Sequence, residues 1–161
     1  MKIPKAYKGI KVEVQKKTPK CKQRAIATAD IDRKGEPIIK VWSKNKRHLT
    51  PYVLKHESAH IELGHHKPPY PKTVSGYWKQ EIKAERLVNK GKQIPSARLG
   101  NMLDNMVLEF SKRGQKKIKD NPMEADKFLI KTSNEYGFSK NEMERAVNYR
   151  NSHRRKKIKV D

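Results

Sequence analysis

The chain has 161 residues, of which 39 are lysine or arginine and 17 are aspartate or glutamate, so its formal net charge is +22 at pH 7. This length is typical of one domain, and 34% hydrophobic residues provide only a modest core. A single cysteine excludes an internal disulfide. We recognise no secretory signal and no membrane-spanning stretch in this sequence and therefore expect an intracellular, cytoplasmic protein with no membrane partner.

The first third of the chain has the pattern of β-strands. Apolar and polar residues alternate over 10–14, which predicts a strand with one buried face. Segments 24–31 and 37–42 predict two further strands, joined by the turn Asp32-Arg33-Lys34-Gly35. We therefore expect an α+β fold in which a small antiparallel sheet precedes the helices.

The next predicted element is a helix that begins at Pro51. Thr50 is suited to cap it, proline fits its first position, and Gly64 is suited to end it. The helix carries the segment His56-Glu57-Ser58-Ala59-His60. Side chains four residues apart share one helix face, so both imidazoles can reach one metal ion. Glu57 is close enough to act on a water at that metal without being a ligand.

Two residues are candidates for a third metal ligand, which a catalytic zinc site normally requires. Segment 78–88 has helical character and places Glu81 and Glu85 four residues apart on one face. One of these carboxylates can then bind the metal while the other supports the free N–H of a histidine. The other candidate is His66, because the preceding Gly64 can turn the chain back toward the metal.

The remainder of the chain has the pattern of helices. Three are predicted, over 99–110 with Gly114 as its end, over 121–135, and over 139–151. Ser139 and Glu142 form a capping box at the start of the last one. We expect one domain over residues 1–151 and a basic, flexible tail over residues 152–161.

Three motifs together resemble a known family. They are His56-Glu57-x-x-His60, the following Leu63-Gly64-His65-His66, and the later Glu81-x-x-Ala84-Glu85. The combination resembles the gluzincin zinc metallopeptidases, in particular the compact ImmA/IrrE-like group and minimal gluzincins. The resemblance covers about residues 36–90.

This resemblance implies a metalloprotease, that is, a hydrolase that cleaves internal peptide bonds with one Zn²⁺ per chain. Position by position, it makes His56, His60 and Glu81 the zinc ligands. Glu57 would be the general base, and Glu85 would hydrogen-bond a ligand histidine. The last residue departs from the pattern of the group, in which aspartate or asparagine is more usual.

A second resemblance gives a different third ligand. The pattern His56-Glu57-x-x-His60-x-x-x-Gly64-x-His66 also resembles the WLM and SprT-like proteases, which cut proteins crosslinked to DNA. It implies His66 as the third ligand, with Tyr70 near the aromatic residue that follows it. This alternative leaves the helical pair of Glu81 and Glu85 without a role.

Two further features of such a protease can be assigned only in part. The substrate is expected to be a polypeptide that adds as an extended strand to the sheet edge beside the metal helix. The developing oxyanion also needs a hydrogen-bond donor. Tyr70, Tyr77 and His66 are close to the site in sequence, but their spacing selects none of them.

The positive charge favours polyanionic partners without sequence preference. Basic residues concentrate in 16–24, in 112–119 and in the tail, where Arg154, Arg155, Lys156 and Lys157 are consecutive. These tail residues are candidates for non-specific contact with nucleic acid, and a solubilising extension is an equally good interpretation. The third functional hypothesis is therefore a non-catalytic nucleic-acid-binding protein whose histidines bind structural zinc or no metal.

Overall fold

The computed structural model describes residues 3–17, 25–112 and 133–157. Over these residues the chain has an α+β fold, and the prediction of a sheet that precedes the helices is confirmed. In chain order the elements are β1 (Ala6–Tyr7), β2 (Ile10–Gln15), β3 (Ala27–Ile31), β4 (Pro37–Trp42), a 3-10 helix (Ser43–His48), α1 (Pro51–Glu62), α2 (Val74–Asn89), α3 (Ser96–Lys112), a second 3-10 helix (Ser133–Tyr136) and α4 (Lys140–Lys157). No helix within the described ranges has both the length and the apolarity needed to span a bilayer.

The sheet has the strand order β1-β2-β4-β3 and is mixed, whereas an antiparallel sheet was predicted. Strands β1 and β2 pair antiparallel, as do β3 and β4, but β2 and β4 pair parallel from Lys11↔Ile38 to Gln15↔Trp42. The reason is that β3 lies at the far side of β4 from β2, so the β3–β4 hairpin places its second strand, β4, beside β2. Alternation along each strand does not reveal which strand will be its neighbour.

The predicted turn between β3 and β4 is stabilised by its first side chain. Oδ1 of Asp32 accepts hydrogen bonds from the backbone N–H groups of Lys34, at 2.7 Å, and Glu36, at 3.0 Å. These bonds favour the ionised carboxylate, and the amides of Glu36 and Lys34 therefore lower the pKa of Asp32. Gly35 has a φ of +83°, a conformation that glycine adopts without strain.

The chain divides into two compact units. Unit 1 comprises Met1–Thr73 and Lys83–Lys90, and unit 2 comprises Val74–Ile82 and Gly91–Asp161. The prediction of a single domain over 1–151 concerns both units together and stays a prediction.

In unit 1, α1 packs against one face of the sheet. Thr50 caps this helix as predicted, because its hydroxyl accepts a hydrogen bond from the N–H of Val53 at 3.3 Å. The shared core consists of Val12, Ala27, Ile39, Val41, Leu49 and Leu54. A second cluster joins Ala59 of α1 to Ala84 and Val88 of α2. These two contacts fix α1 relative to the sheet and to the later half of α2.

In unit 2, α3 packs against α4. Leu99, Met102, Leu103 and Met106 of α3 are buried in a core that also contains Phe138 and Met143. The predicted capping box is present: the N–H of Glu142 donates to Oγ of Ser139 at 3.2 Å, and the N–H of Ser139 donates to Oε2 of Glu142 at 2.8 Å. The expected helix over 121–135 and the stop at Gly114 lie outside the described residues, apart from the 3-10 turn at Ser133–Tyr136.

Helix α4 continues to Lys157, beyond the predicted end at about residue 151. Contacts along its surface support the extension: the His153 ring stacks on Tyr149 at 3.8 Å, and its Nδ1–H donates to the Tyr149 carbonyl at 2.9 Å. Residues 152–157 of the predicted tail are therefore helical, and residues 158–161 lie outside the described part.

Gly100 provides a test of the packing in unit 2. A Cβ atom at this position would lie 2.6 Å from Cδ1 of Tyr149, which requires a shift of the Tyr149 ring or of one of the two helices. We predict that Gly100→Ala lowers the free energy of unfolding by about 1–3 kcal/mol, although alanine is otherwise the better helix former. Asn101→Ala, at an exposed position of the same helix, is the control and should be neutral or slightly stabilising in denaturant titrations. An unchanged or increased stability of Gly100→Ala would contradict this packing.

Candidate metal centre

Two histidines of α1 turn their Nε2 atoms toward each other. His56 and His60 are 7% and 8% exposed, and their Nε2 atoms are 3.1 Å apart. Two nitrogen ligands of one tetrahedral zinc ion, each at 2.0–2.1 Å from the metal, are about 3.3 Å apart. The helix therefore holds both imidazoles at nearly the separation that one shared metal ion requires.

Glu81 of α2 completes a cluster of three potential ligands. His56, His60 and Glu81 each offer one ligand atom, these atoms lie within 4.8 Å of one another, and the cluster can hold a metal ion. These are the three ligands expected from the gluzincin resemblance. His66, the alternative third ligand, is not a member of the cluster. That the metal is zinc stays a prediction.

The second nitrogen of His56 lies beside a buried carboxylate. Nδ1 of His56 lies 2.9 Å from Oε1 of Glu85, whose side chain is fully buried. The hydroxyl of Tyr52 donates to the other carboxylate oxygen of Glu85. Both partners offset the desolvation of the charged carboxylate. A proton on Nδ1 of His56 then leaves the Nε2 lone pair directed at the metal position.

Tyr52 was not identified from the sequence, although a signal for it exists. Tyr52, His56 and His60 follow one another at intervals of four residues, so they share one face of α1. A tyrosine one turn before the first ligand can therefore reach a carboxylate that supports that ligand. The sequence does not show that Glu85 occupies this position, because the placement of α2 depends on the cluster of Ala59, Ala84 and Val88.

The second nitrogen of His60 faces another histidine. Nδ1 of His60 lies 3.0 Å from Nδ1 of His65. The end of α1 produces this contact: Gly64 has a φ of +72°, its N–H donates to the Ile61 carbonyl at 3.0 Å, and the His65 N–H donates to the His60 carbonyl at 2.8 Å. This is the Schellman motif, which folds the chain back over the last helical turn. The glycine is visible in the sequence, but no role for His65 was predicted.

Glu57 contacts the edge of the sheet. Its Oε2 accepts a hydrogen bond from the backbone N–H of Ala29 in β3 at 2.7 Å. Strand β3 lies at the edge of the sheet. The backbone N–H and C=O groups of its even-numbered residues point toward β4, because the Trp42 N–H donates to the Ile26 carbonyl and the Asp32 N–H donates to the Glu36 carbonyl. The backbone N–H and C=O groups of Ala29, an odd-numbered residue, therefore point away from β4. A backbone donor of this kind has no signature in the sequence.

The other predicted site residues are not members of this cluster. Tyr77 is half exposed and precedes Glu81 by four residues, so the two share one face of α2. Tyr70 is also half exposed, and its hydroxyl donates to the His66 carbonyl at 3.4 Å. His66 is buried, and its Nδ1 has no hydrogen-bond partner among the described residues. Burial, assisted by the charge of Lys67, lowers the pKa of His66.

The basic residues Arg154, Arg155, Lys156 and Lys157 form the last turn of α4. Their contact with nucleic acid stays a prediction. So does a role for Tyr70 or Tyr77 as oxyanion donor.

The chain matches no protein-family model, no curated protein and no solved structure. The resemblance to gluzincins therefore rests on the motif residues, and the function has to be inferred from the geometry and chemistry of the cluster.

The ligand assignment predicts a difference between two variants. We expect Glu81→Gln to weaken zinc binding, because a neutral amide replaces the anionic ligand, whereas His66→Ala should keep one zinc per chain. Zinc content after dialysis, measured by inductively coupled plasma mass spectrometry, separates the two. Full zinc in Glu81→Gln together with loss of zinc in His66→Ala would show that His66 is the third ligand.

The support of His56 predicts a graded loss of zinc affinity. Glu85→Gln removes the charge that polarises His56 and should weaken zinc binding by about 10–100-fold. Tyr52→Phe removes only the hydrogen bond to Glu85 and should have a smaller effect in the same direction. Competition with a chromophoric chelator measures both, and Tyr136→Phe, a buried tyrosine of unit 2, is the control. Equal zinc affinity in Glu85→Gln and the wild type would exclude this support.

Proposed function

We propose that the protein is a zinc-dependent metallopeptidase of the gluzincin type, an endopeptidase that hydrolyses internal peptide bonds. The observation that carries the proposal is the convergence of the His56 and His60 Nε2 atoms with Glu81. On the same helix, Glu57 directly follows His56 and would act as the general base. Two imidazoles with one carboxylate form a ligand set that zinc uses in proteases.

Zinc fits this site better than a harder cation does. Imidazole is a favourable ligand for zinc, whereas magnesium and calcium prefer oxygen ligands. In this cluster only Glu81 offers an oxygen ligand. When bound, zinc would lower the pKa of a water toward about 7 and polarise a peptide carbonyl. Glu85 and His65 would keep the rings of His56 and His60 in their binding orientation.

Glu57 would move the proton that the reaction requires. As a carboxylate it takes a proton from the attacking water and then delivers it to the departing amine nitrogen. The hydrogen bond from Ala29 restrains one carboxylate oxygen, and we assign proton transfer to the other oxygen. The sheet edge would thus orient the base before substrate binds, which lowers the entropic cost of proton transfer.

The edge strand would also orient the substrate. The backbone groups of Ala27, Ala29 and Ile31 are directed away from β4. The N–H groups of Ala29 and Ile31 already donate to Glu57 and to Oδ1 of Asp30, so an extended polypeptide added at this edge would pair through the outward carbonyl groups. Because Glu57 already contacts this edge at Ala29, a peptide added there would pass close to the base. We therefore propose unfolded or extended polypeptide as the substrate class.

The two other hypotheses receive less support. A SprT/WLM-like site would need His66 as a ligand, and His66 is outside the cluster. A non-catalytic protein with structural zinc would have no use for a carboxylate beside the metal ligands, and structural zinc sites have four protein ligands. The cluster has three, which is the number in catalytic sites.

Replacing the base tests the proposal. Glu57→Gln should keep one zinc per chain and lower the rate of cleavage of an unfolded protein by about 10²–10⁴-fold. Glu62→Gln, an exposed position of the same helix, is the matched control and should cleave normally. A chelator should abolish wild-type cleavage, and added zinc should restore it. Full cleavage by Glu57→Gln, or no cleavage by zinc-loaded wild type on any unfolded protein, would contradict the proposal.

A further inference from the structure

A basic surface lies at one end of the sheet of unit 1, at residues that the proposed protease site does not use. The parallel strands β2 and β4 end side by side at Gln15 and Trp42. The segments that follow both strands carry exposed basic side chains: Lys16, Lys17, Lys44, Lys46 and Arg47. We call these five residues the sheet-end patch.

The backbone beneath the sheet-end patch is held in place. Oγ of Ser43 donates to the Lys16 carbonyl at 3.0 Å and thereby joins the two segments. The side-chain amide of Asn45 donates to the Ala25 carbonyl at 2.7 Å. Trp42 and Leu49, on either side of the 3-10 helix, are buried at 6% and 5% exposure. The five charges therefore extend from an ordered support rather than from a free chain end.

Neither segment contains an acidic residue. The acid nearest to Lys16 in sequence is Glu13, which forms an ion pair with Lys11 at 2.5 Å. Charges of one sign that are held close together repel each other and create a local positive potential. An anionic partner with several charges relieves this repulsion and releases its own counterions on binding.

We infer that the sheet-end patch binds the phosphodiester backbone of nucleic acid, without reading its sequence. Each strand of a duplex presents one phosphate per about 3.4 Å of helix axis, so several point charges can be neutralised in any register. Insertion into a lipid surface would need exposed apolar side chains beside the charges. The apolar residues that flank the 3-10 helix, Trp42 and Leu49, are instead buried. This inference is independent of the protease proposal.

The test compares two variants that lose the same charge. The patch variant replaces four basic residues with glutamine, Lys16→Gln, Lys17→Gln, Lys46→Gln and Arg47→Gln. The control variant does the same at four exposed positions elsewhere in unit 1, Lys5→Gln, Arg33→Gln, Lys34→Gln and Lys72→Gln. Fluorescence anisotropy with a labelled DNA duplex and with the matching single strand, over a range of salt concentrations, gives the affinity and its salt dependence.

The patch variant should lose at least about tenfold in affinity at low salt, and its log–log salt slope on duplex should decrease by about 3–4. The control variant should change the slope by less than about 1. A variant with only Lys46→Gln and Arg47→Gln should lose about half as much of the salt slope. A loss in proportion to the number of removed charges shows that the effect of the four-residue variant is not due to misfolding. The relative losses on duplex and single strand identify the form that is bound.

Three outcomes would overturn the inference. They are undetectable binding of the wild type at low salt, equal losses in the patch and control variants, and loss of binding to vesicles of anionic phospholipid without loss of binding to DNA. Cleavage of an unfolded protein without nucleic acid should be the same in the patch variant and the wild type. A failure of this inference can therefore be distinguished from a failure of the protease proposal.

Discussion

The central interaction of this protein is the close approach of two imidazole nitrogens, Nε2 of His56 and Nε2 of His60, which are 3.1 Å apart. If Nδ1 of His56 and of His60 both carry protons, two lone pairs meet inside a buried site, and a cation between them removes the repulsion. The contacts of Glu85 and His65 favour this arrangement, because each can accept the Nδ1 proton of one ring. The rest of unit 1 can be understood from the need to hold these two rings in place.

Three features of the surrounding structure hold the two histidines and their neighbours in place. The capped start of α1 and the Schellman motif at its end fix the helix that carries both rings. The packing of Ala84 and Val88 against Ala59 brings the buried Glu85 to His56. The edge strand β3 contacts Glu57 through Ala29. Because Glu85 is fully buried, loss of its partners would leave an uncompensated charge, a change that typically costs about 3–5 kcal/mol.

Local signals in the sequence were sufficient for a large part of the fold. The limits of β4, the start of α1 at Pro51, the turn at Asp32 and the capping box at Ser139 each depend on a few neighbouring residues. Features that depend on distant residues were not predicted correctly. The parallel pairing of β2 with β4 follows from the order of the strands in the sheet. The end of α4 was placed too early for a different reason, because the local stacking of His153 on Tyr149 was not recognised in the sequence.

The same distinction applies to the candidate site. The helical spacing of His56, Glu57 and His60 follows from the sequence, and Glu81 was selected through the resemblance to a family. Tyr52 and His65 become visible only when Glu85 and the chain after Gly64 have been placed in three dimensions. The Ala29 donor is a backbone group, so its contact with Glu57 depends on the strand order rather than on the identity of residue 29.

The most direct test of the metal centre is a crystal structure of the zinc-loaded protein with diffraction data collected on both sides of the zinc absorption edge. We predict one anomalous peak per chain, at about 2.0–2.2 Å from Nε2 of His56, Nε2 of His60 and a carboxylate oxygen of Glu81. A peak ligated by His66 in place of Glu81, or the absence of a peak between His56 and His60, would contradict it.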